Sequence, residues 1–276
     1  MRFKKVYLEI TNVCNLRCSF CHGTKRAPRF LSPAEFETLA GKLRGWTEYL
    51  YFHLMGEPLL HPQLGELLRI ANEDNFYVNL TTNGTLLSKA TETLLNAPAL
   101  HRVNISLQSW EANAERQSIS DYVNSCVDFA HRAAERGTLI SLRLWNGGGA
   151  EERNAEILEL LHAAFPAEWK TAQKNTVLAP GVFLEFGEKF DWPDLSADET
   201  GACFCRGLRD QLGVLCDGTA VPCCLDAEGS LALGNLFESE LADILASKRA
   251  KAIYDGFSRR EAVEPLCQRC GYATRF

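Results

Sequence analysis

The chain has 276 residues, of which 46% are hydrophobic and 23% are charged, and its formal net charge at pH 7 is −6. This composition is typical of a globular protein and excludes disordered, collagen-like and coiled-coil chains, and the length predicts about two domains. The acidic balance lacks the basic footprint of a nucleic-acid-binding protein, and no apolar run reaches the roughly 18 residues of a membrane span.

The first two-thirds of the chain alternates predicted strands with predicted helices. Segments rich in β-branched and aromatic residues predict six strands, at 5–11, 49–55, 76–82, 102–107, 138–145 and 181–186. Helical spacing of apolar residues predicts five intervening helices, at 32–46, 62–75, 86–97, 120–136 and 150–165. Such alternation predicts parallel βα units, and six units are fewer than the eight of a closed barrel. We therefore expect an α/β fold built on a partial (β/α)6 TIM-like barrel.

The pattern changes after the sixth predicted strand. An acidic, proline-containing segment predicts a linker, and two short strands on either side of Asp217-Gly218, at 212–216 and 220–225, predict a β-hairpin. Residues 241–254 predict one helix. The predicted units are a barrel at 1–187, a linker at 188–202 and a small C-terminal domain, a hairpin plus a helix, at 203–276.

The chain contains 11 cysteines, most of them in two groups near its two ends. The N-terminal residues do not resemble a secretion signal, so we expect a cytoplasmic protein whose clustered thiols bind metal rather than form disulfides. Cys14, Cys18 and Cys21 directly follow the first predicted strand, which is where barrel folds place their active sites. Three thiolates suit an iron–sulfur cluster with one open iron. A zinc site with His22 as the fourth ligand is the alternative.

The N-terminal motifs resemble those of the radical S-adenosylmethionine (SAM) enzymes. The three cysteines match the family's cluster motif, residues 55–58 (Met-Gly-Glu-Pro) are similar to its Gly-Gly-Glu-Pro motif, and residues 81–84 (Thr-Thr-Asn-Gly) to the motif after its third strand. The resemblance implies that Cys14, Cys18 and Cys21 bind a [4Fe–4S] cluster. It also implies six cofactor-binding residues: Phe20, Gly56, Glu57, Asn83, Ser106 and Arg143.

The resemblance implies a particular role for several of these residues. Phe20 would lie near the adenine, Glu57 would bind the amino group of the methionine moiety, Ser106 would contact the ribose, and Arg143 would pair with the carboxylate. Each has a structural alternative. Glu57 would begin a helix, Asn83 would belong to a common turn pair, and Ser106 and Arg143 would be satisfied polar groups.

The second cysteine group resembles the twitch domain, the short form of the SPASM extension in the same family. Cys205 and Cys223 lie on either side of a glycine at the family's spacing, and Cys267 and Cys270 form the CxxC pair that follows. The resemblance implies that these four cysteines ligate one auxiliary [4Fe–4S] cluster. Cys203 is also at an allowed distance and could replace Cys205, and a zinc ribbon is the alternative.

The family's chemistry implies an enzyme that cleaves SAM reductively to a 5′-deoxyadenosyl radical, which abstracts a substrate hydrogen atom. A fully ligated auxiliary cluster is better suited to electron transfer than to substrate binding. We therefore expect an oxidative modification, a dehydrogenation or bond formation, of a small polar metabolite. The alternatives are a maturase that modifies a ribosomal peptide or protein with a separate recognition partner, and a non-enzymatic iron–sulfur or zinc protein.

The expected partners are the substrate and a flavodoxin- or ferredoxin-type electron donor, with no nucleic acid and no membrane. No catalytic residue is assigned from the sequence. Glu185, near the end of the sixth predicted strand, is a candidate general base for which a structural carboxylate is the alternative.

Overall fold

The computed structural model describes residues 2–172 and 175–276. The strands are β1 (Lys5–Leu8), β2 (Tyr49–Tyr51), β3 (Tyr77–Thr82), β4 (Leu100–Ser106), β5 (Leu139–Gly147), β6 (Lys170–Ala172), β7 (Asn175–Ala179), β8 (Val182–Glu188), β9 (Gln211–Val214), β10 (Thr219–Val221) and β11 (Gly234–Asn235). The helices are α1 (Pro33–Leu43), α2 (Leu64–Glu73), α3 (Leu87–Leu95), α4 (Ile119–Glu135), α5 (Asn154–Ala164), α6 (Leu241–Ala246), α7 (Lys248–Ser258) and α8 (Pro265–Gln268). Short 3-10 turns lie at Pro58–Leu60, Leu107–Asn113 and Gly271–Arg275.

Six parallel strands form the barrel wall. Neighbouring pairs run from β1 through β2, β3, β4 and β5 to β8. The predicted partial (β/α)6 barrel is confirmed, because each of these strands overlaps a predicted one and helices α1 to α5 occupy the connections. Local signals explain some of the boundaries: Ser32 and Glu35 form a capping box at the start of α1, with Pro33 as its first residue.

The structure differs from the prediction in two elements. Between α5 and β8, the strands β6 and β7 form an antiparallel hairpin at the sheet edge, which the sequence analysis missed because such short, partly polar strands carry little alternation. The single helix predicted over 241–254 is wrong. Ser247 leaves the helical conformation there, and its side chain accepts a hydrogen bond from Ala250 N, so that one helix ends and another begins.

The C-terminal hairpin continues the barrel sheet. The strand β9 pairs in parallel with β1 over four residue pairs, and β10 and β11 extend the sheet beyond it in the antiparallel sense. One hydrophobic core includes Leu8 and Phe52 of the barrel together with Leu212 and Phe257 of the C-terminal region. The predicted unit boundaries at 187, 188–202 and 203 remain predictions. No helix among the described residues has both the length and the apolar character needed to cross a bilayer.

Candidate active site

The three N-terminal cysteines lie in the segment between β1 and α1, at the carboxyl end of the first barrel strand. Cys14 and Cys21 are exposed and Cys18 is half-buried, and a turn between the last two is closed by a 3.1 Å hydrogen bond from Cys21 N to Cys18 O. The cysteines line a cavity of about 950 Å³. The same cavity is lined by five of the six predicted cofactor residues: Phe20, Gly56, Glu57, Asn83 and Ser106.

Glu57 is the buried carboxylate of this cavity. Its Oε1 accepts hydrogen bonds from the Thr82 hydroxyl at 2.7 Å and from Leu59 N at 3.0 Å, and its Oε2 accepts one from Asn83 N at 2.7 Å. Burial raises the pKa of Glu57 to about 7, although these three donors oppose the rise. The donors fix the carboxylate and leave a lone pair of Oε2 for one further donor.

Asn83 joins the motif after β3 to the cysteine segment. Its Nδ2 donates to Asn15 Oδ1 at 2.9 Å and lies 4.0 Å from Cys14 Sγ, and its backbone carbonyl accepts a 2.7 Å hydrogen bond from the Tyr122 hydroxyl. Gly84 N in turn donates to the hydroxyl of Thr82. Sequence patterns alone describe this turn as a common Asn-Gly pair. In the structure, the side chain of Asn83 also supports the segment that carries Cys14.

A buried ion pair that the sequence analysis missed connects four segments. The fully buried Glu9 accepts two 2.8 Å hydrogen bonds from Arg26, which lies in the segment after the cysteines. Glu9 also accepts from Met55 N at 3.1 Å and from Cys216 N at 3.2 Å. Charged residues carry no periodic signal, so only the folded chain shows that Glu9 holds the cysteine segment, the 55–58 motif and the C-terminal region together.

Trp192, from the predicted linker, also belongs to the cavity. Its indole N–H donates a 3.0 Å hydrogen bond to the carbonyl of Phe20, and its ring stacks on His22 with centroids 5.9 Å apart. The segment therefore does more than connect two units, because it forms part of the wall beside the cysteines. The sequence signal for this role was a tryptophan within an acidic segment.

The four predicted auxiliary ligands line a second cavity of about 400 Å³: Cys205, Cys223, Cys267 and Cys270. Cys203 is exposed and lies outside that lining. Burial, reinforced by the neighbouring thiols, raises the pKa of Cys223 well above the usual thiol value. No three His, Cys, Asp or Glu side chains in residues 2–172 and 175–276 converge on a single metal ion. Cys224 also lines this cavity, so five thiols surround it. Each cysteine of a [4Fe–4S] cluster binds a different iron, and the four predicted ligands satisfy that donor set.

Arg143 lies apart from the residues with which the sequence analysis grouped it, whereas Glu185 lies near the end of the sixth barrel strand as predicted. Arg143 lines the second cavity and is not part of the lining of the three-cysteine cavity. Its Nε donates to Glu185 Oε2 at 3.0 Å, and its guanidinium stacks over Trp145 at 4.4 Å from the ring centre. Glu185 also accepts a 2.8 Å hydrogen bond from the Ser141 hydroxyl. The geometry gives Glu185 the surroundings of a structural carboxylate.

Taken together, the open barrel and the two cysteine-lined cavities define a class of protein that holds a cofactor beside one metal cluster and carries a second cluster nearby. Residues 8–188 match the family model of the radical SAM superfamily, and residues 203–271 match SPASM, an iron–sulfur cluster-binding domain. The chain belongs to the radical SAM superfamily, whose members are enzymes, and carries a SPASM domain. It binds SAM with one [4Fe–4S] cluster and an auxiliary iron–sulfur cluster, as the resemblance implied.

Curated relatives share only part of the chain. A GTP 3′,8-cyclase of Chlorobaculum tepidum is 36% identical over 108 residues, which are 38% of this chain and 32% of that protein. The match thus spans about a third of the relative's length.

Solved structures share the whole fold. BtrN in complex with AdoMet and 2-DOIA has a TM-score of 0.59 at 17% identity, covering 98% of this chain and 93% of that one. Native anSMEcpe with AdoMet and the Kp18Cys peptide has a TM-score of 0.65 at 13% identity, covering 98% and 90%. At these identities the likeness shows the fold alone.

Proposed function

We propose that this chain cleaves SAM reductively and removes a hydrogen atom from a small polar metabolite, which it modifies oxidatively by dehydrogenation or bond formation. The observation that carries the proposal is the junction of the two cavities. His53, Pro193 and Leu266 line both of them, so a molecule held there adjoins the three-cysteine cavity on one side and the four-cysteine cavity on the other.

Several residues of the first cavity have a proposed task. Cys14, Cys18 and Cys21 hold the cluster, Glu57 uses its remaining lone pair to bind the amino group of SAM, and Asn83 supports the cysteine segment. When bound, the cofactor pair supplies the radical that abstracts the hydrogen atom. The barrel wall and Trp192 form the sides of that cavity.

The second cavity supports the oxidative assignment. Cys205, Cys223, Cys267 and Cys270 supply four thiols, so a cluster there has no free coordination position for substrate and suits electron transfer. A flavodoxin- or ferredoxin-type protein is the proposed electron donor.

The complex of BtrN with 2-DOIA is consistent with a small substrate on this fold. A peptide maturase with a separate recognition partner is the second candidate, favoured by the peptide in the anSMEcpe complex. In that case the second cavity would admit one or two side chains of the peptide rather than a whole metabolite.

The test is anaerobic reconstitution with iron and sulfide, followed by reduction, addition of SAM and assay of 5′-deoxyadenosine. We expect about eight irons per chain in the wild type and about four in each of Cys18→Ala and Cys267→Ala, because each variant loses a ligand of one cluster. Cys18→Ala should form no 5′-deoxyadenosine. Cys126→Ala is the matched control, because this buried cysteine lines neither cavity. A wild type without cleavage, or cleavage by Cys18→Ala, would contradict the proposal.

A further inference from the structure

The segment that follows the three cysteines is held by the C-terminal region as well as by the barrel. Arg26 Nε donates a 2.8 Å hydrogen bond to the carbonyl of Ala227, and Lys25 N donates to Glu228 Oε1 at 2.9 Å. Both acceptors belong to residues 203–271, which match the SPASM domain. The position of the segment beside the cysteines therefore depends on residues that follow it by 201 and 203 positions.

Arg26 also connects these contacts to the 55–58 motif. Its Nη2 donates to both carboxylate oxygens of the buried Glu9 at 2.8 Å, and the Arg26 side chain is itself only 14% exposed. Glu9 in turn accepts from Met55 N at 3.1 Å, two residues before Glu57. A charge-assisted pair with two parallel hydrogen bonds has a defined geometry. One guanidinium thus fixes the cysteine segment relative to the carboxylate proposed to bind SAM.

The acceptor Ala227 lies close in sequence to a proposed ligand of the auxiliary cluster. Cys223 precedes it by four residues. The buried Asp226 between them accepts hydrogen bonds from Ser230 N and Leu231 N at 2.8 and 2.7 Å, which fixes the turn that follows. Metal binding orders the segments that carry the ligands, so a cluster held by Cys223 helps to fix the carbonyl of Ala227.

The place of Arg26 distinguishes it from an ion pair that only stabilises the fold. The cysteine segment carries the ligands of the first cluster, and Glu57 is proposed to receive the amino group of SAM. A ligand that bridges two groups binds tightly where their separation is already set, because ordering them at the moment of binding costs free energy. Arg26 sets that separation from outside the cavity, since it does not line it.

We propose that Arg26 is a positioning residue for SAM and that, through its hydrogen bond to Ala227, the auxiliary cluster strengthens SAM binding in the first cavity. The inference rests on the proposed function, because it uses the roles given above to Glu57 and to both groups of cysteines. The two cavities are then coupled, so the ligands of the second influence how tightly the first holds its cofactor.

The test is a double-mutant cycle on SAM binding to the reconstituted, unreduced protein, measured by equilibrium dialysis so that no cleavage interferes. The four proteins are the wild type, Arg26→Met, Cys267→Ala and the double variant. We expect each single change to raise the Kd of SAM at least tenfold, as the loss of groups that orient metal ligands typically does. Because both changes act through one contact, the double variant should bind at most about threefold more weakly than Arg26→Met.

Two further variants serve as controls. Arg29→Met is matched to Arg26→Met, because Arg29 lies in the same segment and pairs with Glu35 but lines neither cavity. It should bind SAM as the wild type does. Arg26→Lys keeps the charge but loses the paired geometry, so its affinity should lie between those of Arg26→Met and the wild type. An iron count of about four per chain in Cys267→Ala shows that the first cluster is intact.

Wild-type SAM affinity in Cys267→Ala would overturn the inference even if every Arg26 variant misfolds. So would wild-type affinity in folded Arg26→Met. A double variant whose loss of affinity is the product of the two single losses would also overturn it, because independent effects multiply. Formation of 5′-deoxyadenosine by the reduced wild type separates these failures from failure of the proposed function.

Discussion

At the scale of single residues, two carboxylates show how surroundings decide a role. Glu57 and Glu185 both lie near the end of a barrel strand, and both were candidates from the sequence. Glu185 is paired with Arg143 and Ser141, whereas Glu57 accepts only from neutral donors. A sequence shows the residue type and its place on a strand. The sequence does not show which residue of a strand about 40 positions away contacts that side chain.

The effect of burial on Glu57 can be tested by the pH dependence of the free energy of unfolding. Burial raises its pKa from 4.5 to about 7, so protonation favours the folded state. The stability it contributes is complete below pH 4.5 and is lost as the pH rises through 7. Relative to Glu57→Gln, the free energy of unfolding of the cofactor-free wild type should fall by roughly 2 kcal/mol between pH 5 and 7.5. Urea unfolding at the two pH values measures it. Parallel behaviour of the two proteins would contradict the prediction.

At the scale of elements, the order of the motifs was predictable because the carboxyl ends of parallel strands meet at one end of a barrel. The cysteine segment, residues 55–58 and residues 81–84 follow successive strands and do line one cavity. Arg143 lies within β5 and lines the second cavity rather than the first, because side chains along a strand face different parts of the barrel. The prediction of one helix over 241–254, which rested on apolar spacing, was wrong because Ser247 divides the periodic pattern there.

Gly56 shows how closely two of these segments approach. Its φ is +79°, and a Cβ there would lie 2.4 Å from the carbonyl oxygen of Thr11, while Glu57 N donates to Val13 O at 2.8 Å. Gly56→Ala should therefore lower the free energy of unfolding by about 3 kcal/mol and weaken SAM binding, because the backbone of the cysteine segment must move.

Gly45→Ala is the control for this change. Gly45 has a similar φ of +81° but nothing within 4 Å of an added Cβ, so it should cost only about 1 kcal/mol in the same urea titration. Equal losses in the two variants would show that backbone conformation, and not the contact with Thr11, decides the effect.

At the scale of the whole molecule, the two cysteine regions belong to one sheet and one core. The strand β9 pairs with β1, and Arg26 links the cysteine segment to both Glu9 and the carbonyl of Ala227. The chain matches two family models, at residues 8–188 and 203–271, yet strands from both regions belong to one hydrogen-bonded sheet. Contacts of this kind couple the unfolding of the parts they join.

We therefore expect one calorimetric unfolding transition for the cofactor-free chain. Arg26→Met should lower its stability by about 3 kcal/mol without dividing the transition, because it leaves the buried Glu9 unpaired. Arg153→Met removes an exposed pair with Glu156 and should cost less than about 1 kcal/mol. Two separate transitions in the wild type would show that the barrel and the SPASM domain unfold independently.

The sequence by itself determined the class of fold, the family and the two cysteine groups, because strand and helix periodicity and ligand spacing are local properties of the chain. The tertiary structure decided which residues from distant segments contact these local motifs. It placed Cys205 rather than Cys203 in the second cavity, paired Glu9 with Arg26, and left Nδ1 of His53 without a hydrogen-bond partner in the part of the chain that the structure describes. Each of these depends on burial and on contacts between distant segments, which arise only when the whole chain has folded.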